Sequence, residues 1–297
     1  MQEARAAILR AQCFFASLAY PATKFELVTH AETSDRTLLH EDTEHAIDAL
    51  VAEGVILYQK GRFVFPGSES LIEEHRQREA LFPRKIRRAK RFTKLLYHLA
   101  GVKGVYVCNT LALAHTTEES DIDLFIVCKQ HTAWQTRFFA TVFLMVLRWR
   151  VETAKHDPVC LTFFVDERAL DLSSLSIEQD VYLQHWFLSL LPLLDDGIGV
   201  ELWNQNAKLR TRYPLAQPWM LFAGQKNNMP MFRLPTFRFI ESLSRRLSEW
   251  KFAKEIRSQL GQGTAVVAND HILKFHVDDR RAEFRDRYRQ LCKRYEV

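Results

Sequence analysis

Residues 102–127 read VKGVYVCNTLALAHTTEESDIDLFIV, and this stretch decides the fold. The apolar run Val102–Val107 is typical of a buried strand, and the polar residues after it predict a turn into a helix. After a polar loop, residues 121–127 predict a second strand. Side chains alternate along a strand, so Asp121 and Asp123 project from one face. The apolar residues of the other face enter the core: Ile122, Leu124 and Ile126.

The two carboxylates of this strand predict a metal site. Asp121 and Asp123 lie side by side at a strand edge, where their charges repel each other. That repulsion falls when a hard cation lies between them. We therefore predict Asp121 and Asp123 as ligands of Mg²⁺ or Mn²⁺. The Asp-x-Asp pair is also similar to the metal motif of sugar-nucleotide glycosyltransferases, but the helix opening upstream of it favours another family.

The order strand, turn, helix, loop and Asp-Ile-Asp strand resembles the nucleotidyltransferase superfamily related to DNA polymerase β, especially its minimal and antibiotic-modifying members. Their signature is an apolar strand, a Gly-Ser pair that opens a helix, a loop, then Asp-h-Asp-h-h, where h is apolar. Thr110 occupies the hydroxyl position and Asn109 the glycine position. Asn tolerates a positive φ better than most other non-glycine residues, so we expect the turn to survive.

This resemblance implies a function and a set of site residues. Asn109, Thr110 and Ser120 would bind the phosphates of a nucleoside triphosphate (NTP), with ATP as a candidate. Asp121 and Asp123 would hold the metal ions and carry catalysis. The implied reaction is the Mg²⁺-dependent transfer of a nucleoside monophosphate to a hydroxyl acceptor. The acceptor is left open: a small molecule, an RNA end or a protein hydroxyl.

A third carboxylate is expected from the next strand, predicted over residues 159–165. The inward positions of that strand are not acidic: Cys160, Thr162 and Phe164. Three acids lie near it in sequence but outside the expected position: Glu152, Asp157 and Asp166. Whether the protein is an enzyme therefore stays open. The alternative is a catalytically degenerate module of the same fold that binds nucleotide for regulation.

The N-terminal residues 1–66 predict three helices and a hairpin, an order that resembles a winged helix. Thr23 is predicted to cap the second helix and Gly54 to end the third. The third helix would enter a DNA groove, yet it carries acids that phosphates repel: Glu41, Asp42, Glu44, Asp48 and Glu53. Only Lys60 and Arg62 of the hairpin favour DNA. A structural or protein-contact role is favoured, and a DNA-binding regulator is the least favoured alternative.

The remaining segments complete an α+β prediction with an α/β core. Residues 67–100 form a helical connector that is strongly basic between Arg84 and Lys94. Its cations suit either a solvated face or a phosphate-bearing ligand. Residues 101–175 form the nucleotidyltransferase-type mixed sheet, and residues 176–297 a mostly helical C-terminal domain. The aromatic run 180–194 is interpreted as core.

The composition of the chain excludes several classes of protein. The 297 residues are 47% hydrophobic, which excludes a disordered chain, and 41 Lys and Arg against 36 Asp and Glu leave a net charge of +5. The start is polar, and the longest apolar run, 138–147, is too short to span a bilayer and predicts a buried helix. The cysteines are scattered without a Cys-x-x-Cys pair, typical of reduced thiols. We expect a cytoplasmic protein without a membrane partner.

Overall fold

A computed structural model of the chain describes residues 2–33, 37–151, 154–219 and 232–297. The helices are α1 (Gln2–Ser17), α2 (Lys24–Thr29), α3 (His40–Ala52), α4 (Ser70–Glu79), α5 (Phe82–Tyr97), α6 (Asn109–Ala112), α7 (Ala133–Leu147), α8 (Val181–Leu188), α9 (Ile198–Gln205), α10 (Ala207–Arg210), α11 (Arg238–Trp250), α12 (Lys254–Gln259) and α13 (Arg281–Arg294). The strands are β1 (Leu57–Gln59), β2 (Arg62–Val64), β3 (Val102–Val107), β4 (Ile122–Cys128), β5 (Val159–Asp166), β6 (Leu191–Asp195), β7 (Val266–Ala268) and β8 (Ile272–Phe275).

The N-terminal part has the predicted order of three helices and an antiparallel hairpin, β1–β2. Thr23 caps α2 as expected: its hydroxyl accepts the Glu26 amide at 3.2 Å, and the Glu26 carboxylate accepts the Thr23 amide at 2.7 Å. Helix α3 ends before Gly54, whose φ of +70° lies in the left-handed region. These local signals, which depend only on neighbours in the chain, are confirmed.

The first and last helices pack against each other. Helix α1 buries Ala7, Ile8 and Phe15 completely and contacts both α3 and α13. The Tyr288 hydroxyl of α13 donates to the Glu32 carboxylate at 2.9 Å. The C-terminal helix is therefore part of the core of the N-terminal helices.

The central sheet has the strand order β6-β3-β4-β5-β8-β7. Strand β3 pairs antiparallel with β4, and β4 pairs parallel with β5, so the sheet is mixed and the α+β class is confirmed. The expectation for residues 176–297 needs a correction, because this segment adds β6, β7 and β8 to its helices. These strands are short, and long-range pairing rather than local periodicity defines them.

Helices cover both faces of the sheet. One core joins α5 and α7 to the residues that were predicted to point inward, Ile122, Leu124 and Ile126. The other joins α8 and α9 to Tyr106, Phe125 and Val127. Because both faces are covered, strand edges and strand ends are where polar side chains meet solvent.

Helix α7 contains the apolar run 138–147 that was expected to be buried. It is covered on one side only, since Val142, Met145 and Val146 are exposed. In the described part of the chain, no helix combines the length and the apolar character needed to cross a membrane.

Phe92 tests the packing between α5 and the sheet. Its side chain is 0% exposed, so Phe92→Ala should lower the free energy of unfolding by about 3–5 kcal/mol. Urea denaturation measures the change. Lys90→Ala, on the exposed side of the same helix, should change it by less than about 0.5 kcal/mol. Equal effects of the two substitutions would contradict this packing.

Candidate functional site

All five predicted site residues line one cleft of about 830 Å³. Asn109 and Thr110 come from the turn between β3 and α6, and Ser120, Asp121 and Asp123 come from β4 and the loop before it. A cleft of this size is within the range that holds small ligands and cofactors. The structure therefore brings together the residues that the sequence singled out.

Strand pairing places the turn beside the carboxylates. Val107 pairs with Leu124, and the Cys108 amide donates to the Asp123 carbonyl at 3.2 Å. The chain then turns at Asn109, which has a φ of +56°. The expectation that Asn109 adopts a positive φ in this turn is confirmed.

The Asn109 side chain is held by two aromatic residues of α8. Its Oδ1 accepts the Trp186 indole N–H at 3.0 Å and faces the Tyr182 hydroxyl at 3.4 Å. The interpretation of Tyr182 and Trp186 as core is incomplete, because both also line the cleft. Asn109 therefore does more than permit a turn: its amide ties the turn to α8.

Asp123 is a half-buried carboxyl. Burial raises its pKa from 3.8 to about 6; a hydrogen bond with Asn109 opposes that shift and the charge of Asp121 adds to it. A carboxylate in such surroundings costs free energy that a bound cation offsets. The donor set of Asp121 and Asp123 fits Mg²⁺, which commonly takes one or two protein carboxylates plus waters and phosphates.

The neighbouring strand supplies no third carboxylate. Cys160 pairs with Asp123 across the parallel β4–β5 ladder, and Cys160 and Thr162 line the cleft as predicted. Phe164 does not: the register shifts between Asp123 and Phe125, so Phe163 faces the cleft and Phe164 enters the opposite core. This irregularity, which breaks the alternation, could not be read from the sequence.

The acids that lie near β5 in sequence are engaged elsewhere. Asp157 pairs with Arg84 at 2.9 Å, and Asp166, at the far end of β5, contacts the His271 ring at 3.0 Å. Glu152 lies outside the described residues. Within the part of the chain that the structure describes, no group of three or more His, Cys, Asp and Glu side chains could hold a metal. The described residues therefore place no third His, Cys, Asp or Glu side chain with Asp121 and Asp123 as a metal ligand.

One cation of the basic helix α5 holds the loop before β4. Lys85 is 0% exposed, and its Nζ donates to the Ser120 carbonyl at 2.5 Å and lies 3.4 Å from the Asp157 carboxylate. Arg84, beside it, pairs with Glu118 and Asp157. Lys85 and Arg84 therefore position the loop. The basic segment was interpreted as a solvated face or as a phosphate site, and neither interpretation applies to these two residues.

One wall of the cleft is formed by β8 and the start of α13. The sequence did not predict this wall. Lys274, His276 and Arg280 line this wall. His276 Nε2 lies 3.0 Å from the Thr162 hydroxyl, and burial, with the charge of Lys274, lowers its pKa to about 4. The ring is therefore neutral near pH 7. No local motif marks these residues, because only the pairing of β8 with β5 brings them to the site.

The charges that were predicted to disfavour DNA lie on the surface of the N-terminal part. The acids Glu41, Glu44 and Asp48 are on the exposed side of α3. In the hairpin, Lys60 lies 3.4 Å from Glu73, and Arg62 lies 3.5 Å from Glu79. Cations that are already paired contribute less to phosphate binding.

A scan against protein-family models, a search of curated proteins and a search of solved structures each found no match for this chain. The chemistry of the cleft, rather than any relative, is therefore the basis for assigning a function.

Lys85 tests the anchoring of the loop. Lys85→Ala leaves the Ser120 carbonyl unsatisfied and removes a buried partner of Asp157, so it should lower the free energy of unfolding by about 2–3 kcal/mol. Urea denaturation gives the value. The exposed Lys94→Ala on the same helix is the control and should be nearly neutral. A neutral Lys85→Ala would show that the loop does not depend on this ammonium group.

The raised pKa of Asp123 predicts that the stability of the fold depends on pH. Its folded pKa of about 6 exceeds the value of 3.8 expected when unfolded, so the folded state binds the proton more tightly. The stabilisation is fully present below the lower pKa and is lost as the pH rises through the upper one, a loss of about 2–3 kcal/mol. Asp123→Asn should remove this loss in urea unfolding measured from pH 4 to 7, whereas Asp48→Asn, on the exposed face of α3, should keep it. Parallel stability curves for Asp123→Asn and the wild type would contradict the assignment.

Proposed function

We propose that this protein binds an NTP with a divalent cation in the cleft and transfers a nucleoside monophosphate to a hydroxyl acceptor. The observation that carries the proposal is the meeting of Asn109 and Thr110 with Asp121 and Asp123 in one cleft. These residues come from two elements separated by a loop, and packing alone does not explain two acids at the start of the central strand β4.

The carboxylates of Asp121 and Asp123 would hold Mg²⁺ or Mn²⁺. The bound cation would neutralise the charge of the triphosphate and of the pyrophosphate leaving group. The raised pKa of Asp123 supports this role, because a cation would offset the free-energy cost that burial imposes on its charged form.

The chain's own residues would orient the nucleotide. The Thr110 hydroxyl and the amides at the start of α6 can donate to phosphate oxygens. Arg280, exposed on the far wall of the cleft, is paired with Glu283 at 2.8 Å, so only part of its charge is available to a nucleotide. Tyr182 and Phe284 stack on each other with ring centroids 5.3 Å apart and provide an aromatic wall. The protein would act by position and charge.

A second candidate function is nucleotide binding without turnover, and Cys160 favours it. This residue lies opposite Asp123, in the strand where the resemblance expects a third carboxylate. Burial raises the pKa of its thiol, so the group stays neutral near pH 7. A neutral thiol replaces neither the charge nor the proton acceptor that a carboxylate would supply.

Binding and turnover separate these candidates. Titration calorimetry with each NTP should show binding that requires Mg²⁺ and that Asp121→Ala/Asp123→Ala weakens by at least about 100-fold. Asp48→Ala removes a carboxylate outside the cleft and should leave binding unchanged. Absence of Mg²⁺-dependent binding to any NTP would overturn both candidates.

Pyrophosphate release then tests transfer. With small-molecule alcohols, RNA ends and protein hydroxyls as acceptors, release that the double substitution abolishes would establish the transferase. Binding without release in every class would favour the non-catalytic candidate. Cys160→Asp would then be the informative variant: a gain of release would identify the missing carboxylate as the cause.

A further inference from the structure

Helix α11 turns its apolar side away from the protein. Four of its five large apolar side chains are exposed: Phe239 by 69%, Leu243 by 54%, Leu247 by 37% and Trp250 by 73%. Their spacings of four, four and three residues place them on one face of the helix. We call these four residues the apolar ridge.

The opposite side of α11 attaches the helix to α7 through polar groups. Ser244 is buried there, and the Glu241 carboxylate accepts the amides of Trp134 and Gln135 at 2.9 and 2.8 Å. Surface helices usually have the reverse arrangement, with the apolar side toward the core. Because the attachment is polar, the apolar ridge contributes little to the fold, and the described residues leave it exposed to a partner.

Cations flank the apolar ridge. On the helical projection, Arg246 lies on one side of it and Lys251 on the other, and Lys254 follows at the start of α12. All three are exposed, and none forms an ion pair with another described residue. Glu249 is paired with Arg245 at 2.8 Å, which leaves Glu255 as the exposed acid beside them. The rim of the ridge is therefore positively charged.

Shape and charge together select the partner. A second copy of the chain would bring like charges of the two rims together, which disfavours association. A protein partner would have to provide an apolar groove with an acidic rim, because α11 itself presents a convex ridge flanked by cations. RNA bases stack on aromatic rings, but Leu243 and Leu247 separate the two rings of the ridge, Phe239 and Trp250, so the ridge has no continuous stacking surface. An anionic lipid surface accepts apolar side chains between its acyl chains and cations at its headgroups.

We propose that α11 binds the surface of an anionic membrane, with the apolar ridge inserted and with Arg246, Lys251 and Lys254 at the headgroups. This peripheral binding differs from the sequence-based expectation of no membrane partner, which was drawn from the lack of a spanning segment. It does not depend on the nucleotide cleft.

Vesicle flotation with the full chain tests this proposal. The protein should float with vesicles of phosphatidylcholine and phosphatidylglycerol in roughly equal amounts and not with phosphatidylcholine alone. Leu243→Ser/Leu247→Ser should reduce the bound fraction by about tenfold or more. Val200→Ser, an exposed apolar residue of α9, is the matched control and should bind like the wild type. Circular dichroism verifies that each variant is folded.

The charge requirement has its own variants. Arg246→Gln/Lys251→Gln should weaken flotation several-fold, and added salt should weaken the wild type, whereas Arg91→Gln/Lys94→Gln removes two exposed cations of α5 and should have no effect. Equal flotation with both lipid mixtures, or none with either, would overturn the proposal. So would a dimer, or binding to single-stranded RNA, that the Leu243→Ser/Leu247→Ser variant abolishes.

Discussion

The antiparallel pairing of β3 with β4 is the constraint on which the cleft depends. It ends with the bond from the Cys108 amide to the Asp123 carbonyl, so the chain must turn at Asn109 directly beside the carboxylates. The left-handed backbone of Asn109 makes that turn, and Trp186 fixes its side chain. Lys85 restrains the loop that leads back into β4. Together, these contacts hold two segments that are separated in sequence next to each other, with their polar groups facing the cleft.

The chemistry of the cleft depends on how the negative charge of its carboxylates is balanced. Asp123 lies in surroundings that favour its protonated form, and Asp121 beside it increases that preference. A divalent cation is the natural compensation, and a triphosphate would complete its ligands. In the strand alongside, Cys160 supplies no charge. The two candidate functions, nucleotide transfer and nucleotide binding without turnover, therefore differ at one side chain of the cleft.

The excess positive charge of the chain has different roles in different helices. In α5, Lys85 is buried against carbonyl groups and Arg84 is paired with acids, so these cations stabilise the loop of the cleft. Along α11 and the turn into α12, three cations remain exposed beside an apolar ridge: Arg246, Lys251 and Lys254. A net charge of +5 therefore says little by itself. Its meaning depends on which cations the fold neutralises and which it leaves at the surface.

The sequence by itself determined the features that depend on near neighbours in the chain: the cap at Thr23, the turn at Asn109, and the alternation that places Asp121 and Asp123 on one face. Capping, backbone preference and strand periodicity are local, so they can be read directly. Only the tertiary structure decided that β8 brings His276 to the cleft, that a register shift turns Phe164 away from it, that Lys85 is buried, and that α11 exposes its apolar side. These outcomes depend on pairing and packing between distant segments, which no local pattern contains.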